Sequence, residues 1–85
     1  MYELILTPNA ERELQRLNAK LQNKIVNKLR WLCANCDACS HKALQGRFKG
    51  KYRLKSGNYR IIYTFNKQTQ QITVSQIENR SSVYK

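Results

Sequence analysis

Between Lys51 and Phe65 the chain alternates apolar and polar side chains around a Ser56-Gly57-Asn58 turn signal, and this alternation is its tightest constraint on fold. Residues 51–55 and 59–65 read as the two strands of a hairpin. With Gly57 and Asn58 as a two-residue turn, Lys55 pairs with Arg60, Arg53 with Ile62 and Lys51 with Thr64. Cross-strand partners share a face. Lys51, Arg53, Lys55 and Arg60 therefore emerge together, and Tyr52, Leu54, Tyr59, Ile61, Tyr63 and Phe65 point to the other side. Moving the turn to Ser56-Gly57 pairs Arg53 with Arg60 and keeps the faces. A one-residue slip would exchange them and bury four cations, at prohibitive cost. The basic face is a consequence of burying the aromatics.

Upstream of Gly50 the apolar period is helical. Residues 2–6 read as a first strand, and Thr7-Pro8 signals a helix start, with Thr as N-cap and Pro at the first helical position. Glu11 and Glu13 suit the positive end of that helix dipole. Ala10, Leu14, Leu17 and Leu21 keep helical spacing, with a break near Asn18-Ala19 or one longer helix. Leu21, Ile25, Leu29, Leu32, Cys33 and Cys36 form the next apolar stripe, and Lys24, Asn27, Lys28 and Arg30 its outer face. Residues 37–49 read as irregular, and Gln71–Ile77 as a last strand. The expected fold is α+β, in the order β-α-α-β-β-β. A two-helix hairpin packs on a mainly antiparallel four-stranded sheet, within one domain spanning residues 1–85.

The charge is as one-sided as the hairpin. Sixteen Lys and Arg face five acids, a formal net charge of +11, and no acid lies between Asp37 and Glu78. Such a field attracts polyanions: nucleic acid, an acidic protein or an anionic surface. No apolar run approaches the ~20 residues that span a bilayer, and the opening residues lack the basic start of an export signal. Three cysteines within seven positions, Cys33, Cys36 and Cys39, form no disulfide framework. These features point to a cytoplasmic protein without a membrane partner.

The segment from Gly50 to Tyr63 (Gly-Lys-Tyr-Arg-Leu-Lys-Ser-Gly-Asn-Tyr-Arg-Ile-Ile-Tyr) resembles the core G-x-Y-R-L-x-x-G-x-Y-R-V-I-Y of the RelE/ParE superfamily of toxins from type II toxin–antitoxin pairs. Asn79-Arg80-Ser81-Ser82-Val83-Tyr84 is similar to its H-R-x-x-V-Y terminus. The resemblance implies a RelE-like fold and, in the RelE branch, an mRNA interferase working at the ribosomal A site without metal or cofactor. In that reaction the ribose 2′-OH attacks the adjacent phosphorus and the 5′-oxygen leaves, which calls for a base, an acid and cations for the developing charge. Carried over, the implied catalytic residues are Lys51, Arg53, Arg60, Arg80 and Tyr84, with Arg47, Lys49 and Lys55 as RNA contacts. Arg60 and Arg80 stabilise phosphate charge. Lys51 or Arg53 assists 2′-OH activation or protonates the leaving oxygen, Lys51 being the better proton carrier. Tyr84 stacks on a base or serves as one. The implied partner is a cognate antitoxin, in a hetero-oligomer. The alternatives are a ParE-type toxin that poisons gyrase without cutting RNA, and a non-catalytic RNA-binding module.

Asn79 departs from the family histidine, and Asn cannot transfer protons near neutrality. His41, the only histidine, matches no catalytic position and reads as a solvated loop residue. Cys33, Cys36, Cys39 and His41 mimic a metal-binding spacing, but crowd four ligands into nine residues, two of them on the core stripe. Cys33 and Cys36 read as small core residues and Cys39 as a loop thiol. Trp31, off the main stripe, reads as the edge of the helix–sheet core, with a partner anchor as the alternative. The inward parity of Tyr52, Tyr59 and Tyr63 makes them core rather than stacking residues.

Overall fold

Two side-chain caps divide the helical region. Thr7 Oγ1 accepts from the Ala10 amide at 3.2 Å, and Asn18 Oδ1 accepts from the Leu21 amide at 2.9 Å. Both residues are extended, so each starts a helix afresh, and two helices form rather than one. The computed structural model describes residues 1–79. The elements run β1 (Glu3–Leu6), α1 (Pro8–Gln15), α2 (Ala19–Asn35), β2 (Lys42–Ala43), a 3₁₀ turn (Gly46–Phe48), β3 (Tyr52–Ser56), β4 (Tyr59–Asn66) and β5 (Gln71–Asn79).

The sheet has five strands in the order β1-β5-β4-β3-β2. All pairings are antiparallel except β1 with β5, whose parallel register runs from Glu3 opposite Gln71 to Leu6 opposite Val74. The class and mainly antiparallel character agree with the sequence expectation; the strand count does not. The extra strand, β2, is only Lys42–Ala43, paired with Arg53 and Tyr52. Two residues carry no period, so only backbone pairing defines it.

The hairpin register is Lys55 opposite Arg60 and Arg53 opposite Ile62, which selects the Gly57-Asn58 turn. Gly57 has φ +59° and Asn58 does not share that sign, the pattern of a type II′ turn, which needs positive φ only at its first central residue. The expected Lys51–Thr64 pair is not formed, because β3 begins at Tyr52. Gly50, at φ +91°, bends the chain there. The Lys51 amide instead donates to the Phe48 carbonyl at 3.0 Å, and the Lys51 carbonyl accepts from Leu44 at 2.9 Å.

The core lies between the helices and one sheet face. Ile25, Leu29, Leu32, Cys33 and Cys36 from the α2 stripe meet Ile61, Tyr63, Ile72, Val74 and Ile77 from β4 and β5, and all are buried. Tyr52, Leu54, Tyr59 and Phe65 pack against this cluster partly buried, as the strand parity requires. Tyr2 donates to Asp37 Oδ1 at 2.7 Å, and that bond, with burial, raises its pKa. Burial also raises the pKa of Cys33, Cys36 and Tyr63.

All four groups hold their protons more tightly folded than unfolded. Their contribution to stability is complete below the ordinary thiol value of 9.0 and is lost as pH rises beyond it. Thermal melts across that range should show a melting temperature that declines above about pH 9, and declines less steeply in Tyr63→Phe, which removes one of the groups. A variant as pH-sensitive as the parent would contradict this assignment.

Candidate functional site

The sheet face turned away from the helices is built from alternate residues of three strands. Arg53 and Lys55 project from β3, Arg60, Ile62 and Thr64 from β4, and Gln76 and Glu78 from β5. The hairpin cations do share one face. Although no acid lies between Asp37 and Glu78 in the sequence, the face does carry one, because β4–β5 pairing sets Arg60 directly opposite Glu78. The Arg60 Nη2 to Glu78 Oε2 distance is 2.7 Å, with the side chains only 16% and 18% exposed. In sequence the two lie eighteen residues apart, and only the register of β5 brings them together.

Nor is the face an ordinary solvated one. Ile62 is completely buried there, although it stands outside the helix-side core cluster. Among the described residues, Arg60 Nε and Gln76 Oε1 are buried without a hydrogen-bond partner. An unmet buried donor costs about 1–3 kcal/mol. Arg60 Nε has almost no accessible surface, so that cost disappears only when an acceptor reaches it as the side chains over it give way. Glu78 meanwhile fixes the guanidinium plane, so the free N–H has a defined direction.

Ser75 brings Lys51 to the same face. The β4–β5 register shifts between Ile62 and Tyr63, from Gln76 to Val74, leaving Ser75 as the extra residue of a bulge. Its hydroxyl donates to the Ile62 carbonyl at 3.2 Å and accepts from Lys51 Nζ at 3.4 Å. Thus Lys51 leaves the ladder while its ammonium reaches the centre of the sheet. Phe48, half-buried, lies under two guanidinium groups: Arg47 at 4.9 Å and Arg60 at 5.9 Å from its ring centre. Arg53 is half-buried, and Arg47, Lys49 and Lys55 are exposed. Arg80 and Tyr84 lie outside the described residues. The sequence reading missed Phe48, Ser75, Gln76 and Glu78. Strand parity carried from Ile72 and Val74 would turn Glu78 inward; the Ser75 bulge, which nothing local marks, turns it onto this face.

The family model for the ParE toxin of type II toxin–antitoxin systems, parDE, matches residues 4–84. The chain belongs to the ParE toxin family. Three solved structures share this ParE-family fold. The toxin–antitoxin complex RelBE2 from Mycobacterium tuberculosis aligns with a TM-score of 0.81 and 20% identity, over 93% of this chain and 98% of that one. The isolated Escherichia coli RelE toxin gives 0.77 and 20%, over 99% and 92%. The YoeB/ParE toxin from Agrobacterium tumefaciens gives 0.74 and 21%, over 93% and 98%. At such identities the likeness establishes the fold alone. No curated protein matches the ParE-family chain in sequence. The α+β fold and the RelE/ParE superfamily resemblance are thus both established, and the protein is a toxin of the type II toxin–antitoxin class.

Two side chains of this ParE-family toxin depart from the sequence expectation. His41 is not a solvated loop residue: it plugs the end of the core. Its Nε2 lies 2.7 Å from the Cys36 carbonyl and its Nδ1 2.6 Å from the Tyr63 hydroxyl. A carbonyl can only accept, so Nε2 donates. The ring stacks on Phe65 at 4.3 Å and meets Tyr52 and Tyr63 edge-on. The sulfurs of Cys36 and Cys39 lie 3.9 and 3.8 Å from Nε2. Among the described residues, no three His, Cys, Asp or Glu side chains are placed to enclose a metal ion. Trp31 is not core edge either, being 43% exposed with Lys28 Nζ 4.6 Å from its ring centre. Among the described residues, no helix is long and apolar enough to cross a membrane.

Proposed function

We propose that this ParE-family toxin is an endoribonuclease that cuts messenger RNA at the ribosomal A site and so inhibits translation. One observation carries the reading: the half-buried Arg60 guanidinium, held by Glu78, keeps an unpaired Nε–H on a face that also presents Lys51 and Arg53. A phosphate oxygen is the acceptor such a group lacks. In the reaction the 2′-oxygen bonds to phosphorus as its proton leaves to a base, and the bond from phosphorus to the 5′-oxygen breaks as that oxygen gains a proton. The products are a 2′,3′-cyclic phosphate and a 5′-hydroxyl.

Arg60 faces the phosphorane charge, joined by Arg80. Lys51, steadied by Ser75, protonates the leaving oxygen or eases 2′-OH ionisation, and Arg53 lends charge beside it. Tyr84 stacks on a base or accepts the 2′-OH proton. Arg47, Lys49 and Lys55 hold the RNA backbone. No histidine takes part, because His41 is committed to the opposite, core side with both ring nitrogens engaged. The partner that restrains the toxin is a cognate antitoxin covering the basic face in a cytoplasmic hetero-oligomer, consistent with the RelBE2 neighbour, which is itself a toxin–antitoxin complex.

The gyrase-directed alternative draws on the ParE name of the matching family. Primer extension on a translated message after induction separates the two. Discrete cuts inside the reading frame are expected. Intact message accompanied by DNA damage would establish gyrase poisoning instead.

A further inference from the structure

We propose that Trp31 and the cations around it form a second RNA contact, a stacking platform for the strand running out of the reaction face. This deepens the endoribonuclease reading and rests on it. Trp31 is the only tryptophan in the chain and, apart from Met1, the only large apolar side chain exposed among the described residues. It stands between two adjoining hollows, one of about 420 Å³ shared with Lys24 and Lys55, the other of about 280 Å³ shared with Lys42 and Arg53. Lys28 lines both and sits over the indole. Among the described residues none of these cations is in an ion pair, the one salt bridge being Arg60–Glu78.

Two features of the fold make the passage. Strand β2 pairs only with Tyr52 and Arg53, so beyond Arg53 no strand covers the outer edge of β3. Gly57 has no Cβ; one added there would lie 3.3 Å from Lys24 Nζ, so the bare turn leaves room for that ammonium. Arg53 and Lys55 therefore belong both to the reaction face and to the hollows beside Trp31. A phosphate backbone leaving Arg60 meets an unbroken series of cations around the β3 edge, ending at an aromatic ring.

The composition favours RNA over an acidic protein. Protein interfaces bury a central apolar cluster and are depleted in lysine. Here one indole stands alone among lysines. A stacked base needs only one ring, and the neighbouring phosphates need only the cations.

The single tryptophan makes the test direct. A short oligouridylate, 2′-O-methylated so that it cannot be cut, is titrated into the wild-type protein. Indole fluorescence and the anisotropy of a labelled strand are read together. Quenching of Trp31 should track binding, and Trp31→Leu should weaken the anisotropy affinity about tenfold, the effect of one stacked base. Lys24→Glu combined with Lys28→Glu should weaken binding further and flatten its salt dependence by about 0.7 for each phosphate no longer neutralised. Strong binding or cleavage of RNA with an unresponsive Trp31 and an unaffected Trp31→Leu overturns the platform while sparing the endoribonuclease reading. Equal quenching by polyglutamate of matched charge overturns it in favour of a protein-facing surface. A protein that neither binds nor cuts RNA removes both.

Discussion

Arg60→Ala is expected to lower RNA cleavage by about 100-fold or more and to abolish growth arrest, while the protein still folds. A positioned donor to a developing oxyanion supplies on the order of 10²–10³ in rate, and Arg60 is the cation on this face whose orientation is fixed by an ion pair. The pair is not wholly desolvated, so Glu78 left alone is reached by water, and the fold tolerates the loss. Arg60→Lys keeps the charge but not the planar fork, so it should recover little activity. Glu78→Gln keeps the shape but slackens the guanidinium, so it should lower the cleavage rate less than removal of Arg60. Circular dichroism checks folding, and primer extension checks activity. Growth arrest by Arg60→Ala at wild-type expression would overturn the active-site assignment.

His41→Ala is expected to do the reverse, destabilising the fold by about 2–4 kcal/mol while leaving cleavage per folded molecule unchanged. The substitution strips the Tyr63 hydroxyl of its partner inside the core, a cost of about 1–3 kcal/mol. It also removes the stack on Phe65, worth about 0.5–1.5 kcal/mol. For a domain of this size the melting temperature should fall by roughly 10–30 °C. Activity measured below the lowered melting point distinguishes the roles. Lost cleavage with an unchanged melt would make His41 a participant in the reaction. An unchanged melt with full activity would restore it to the solvent.

These two residues mark the boundary of what the sequence discloses. Arg60 was legible because a period-two pattern around a glycine turn admits one pairing that keeps cations out of the core, and the structure adopts it. Thr7 and Asn18 were legible as helix starts because capping is local chemistry. Glu78 was not, since its position opposite Arg60 depends on the register of a strand joined to β4 by a polar turn and offset by the Ser75 bulge. His41 was misread because it follows a polar turn, and only the tertiary fold brings Phe65 and Tyr63 against it. Trp31 could have been read better: Lys24, Lys28 and Trp31 follow helical spacing on the polar side of α2, which already placed the indole among lysines.

The alternating hairpin thus fixes a face, and the β4–β5 register gives that face its half-buried, oriented guanidinium. The central claim, that Arg60 and its neighbours promote 2′-OH attack on phosphate, is tested most directly by the chemistry of the cut ends. Translating ribosomes are supplied with the toxin and a message carrying a single 2′-deoxyribose on the 5′ side of a mapped cut. The account predicts that ordinary message yields a 2′,3′-cyclic phosphate and a 5′-hydroxyl, and that the deoxy position is spared while cuts elsewhere persist. Cleavage at the deoxy position, or a 5′-phosphate at the cut, would contradict it.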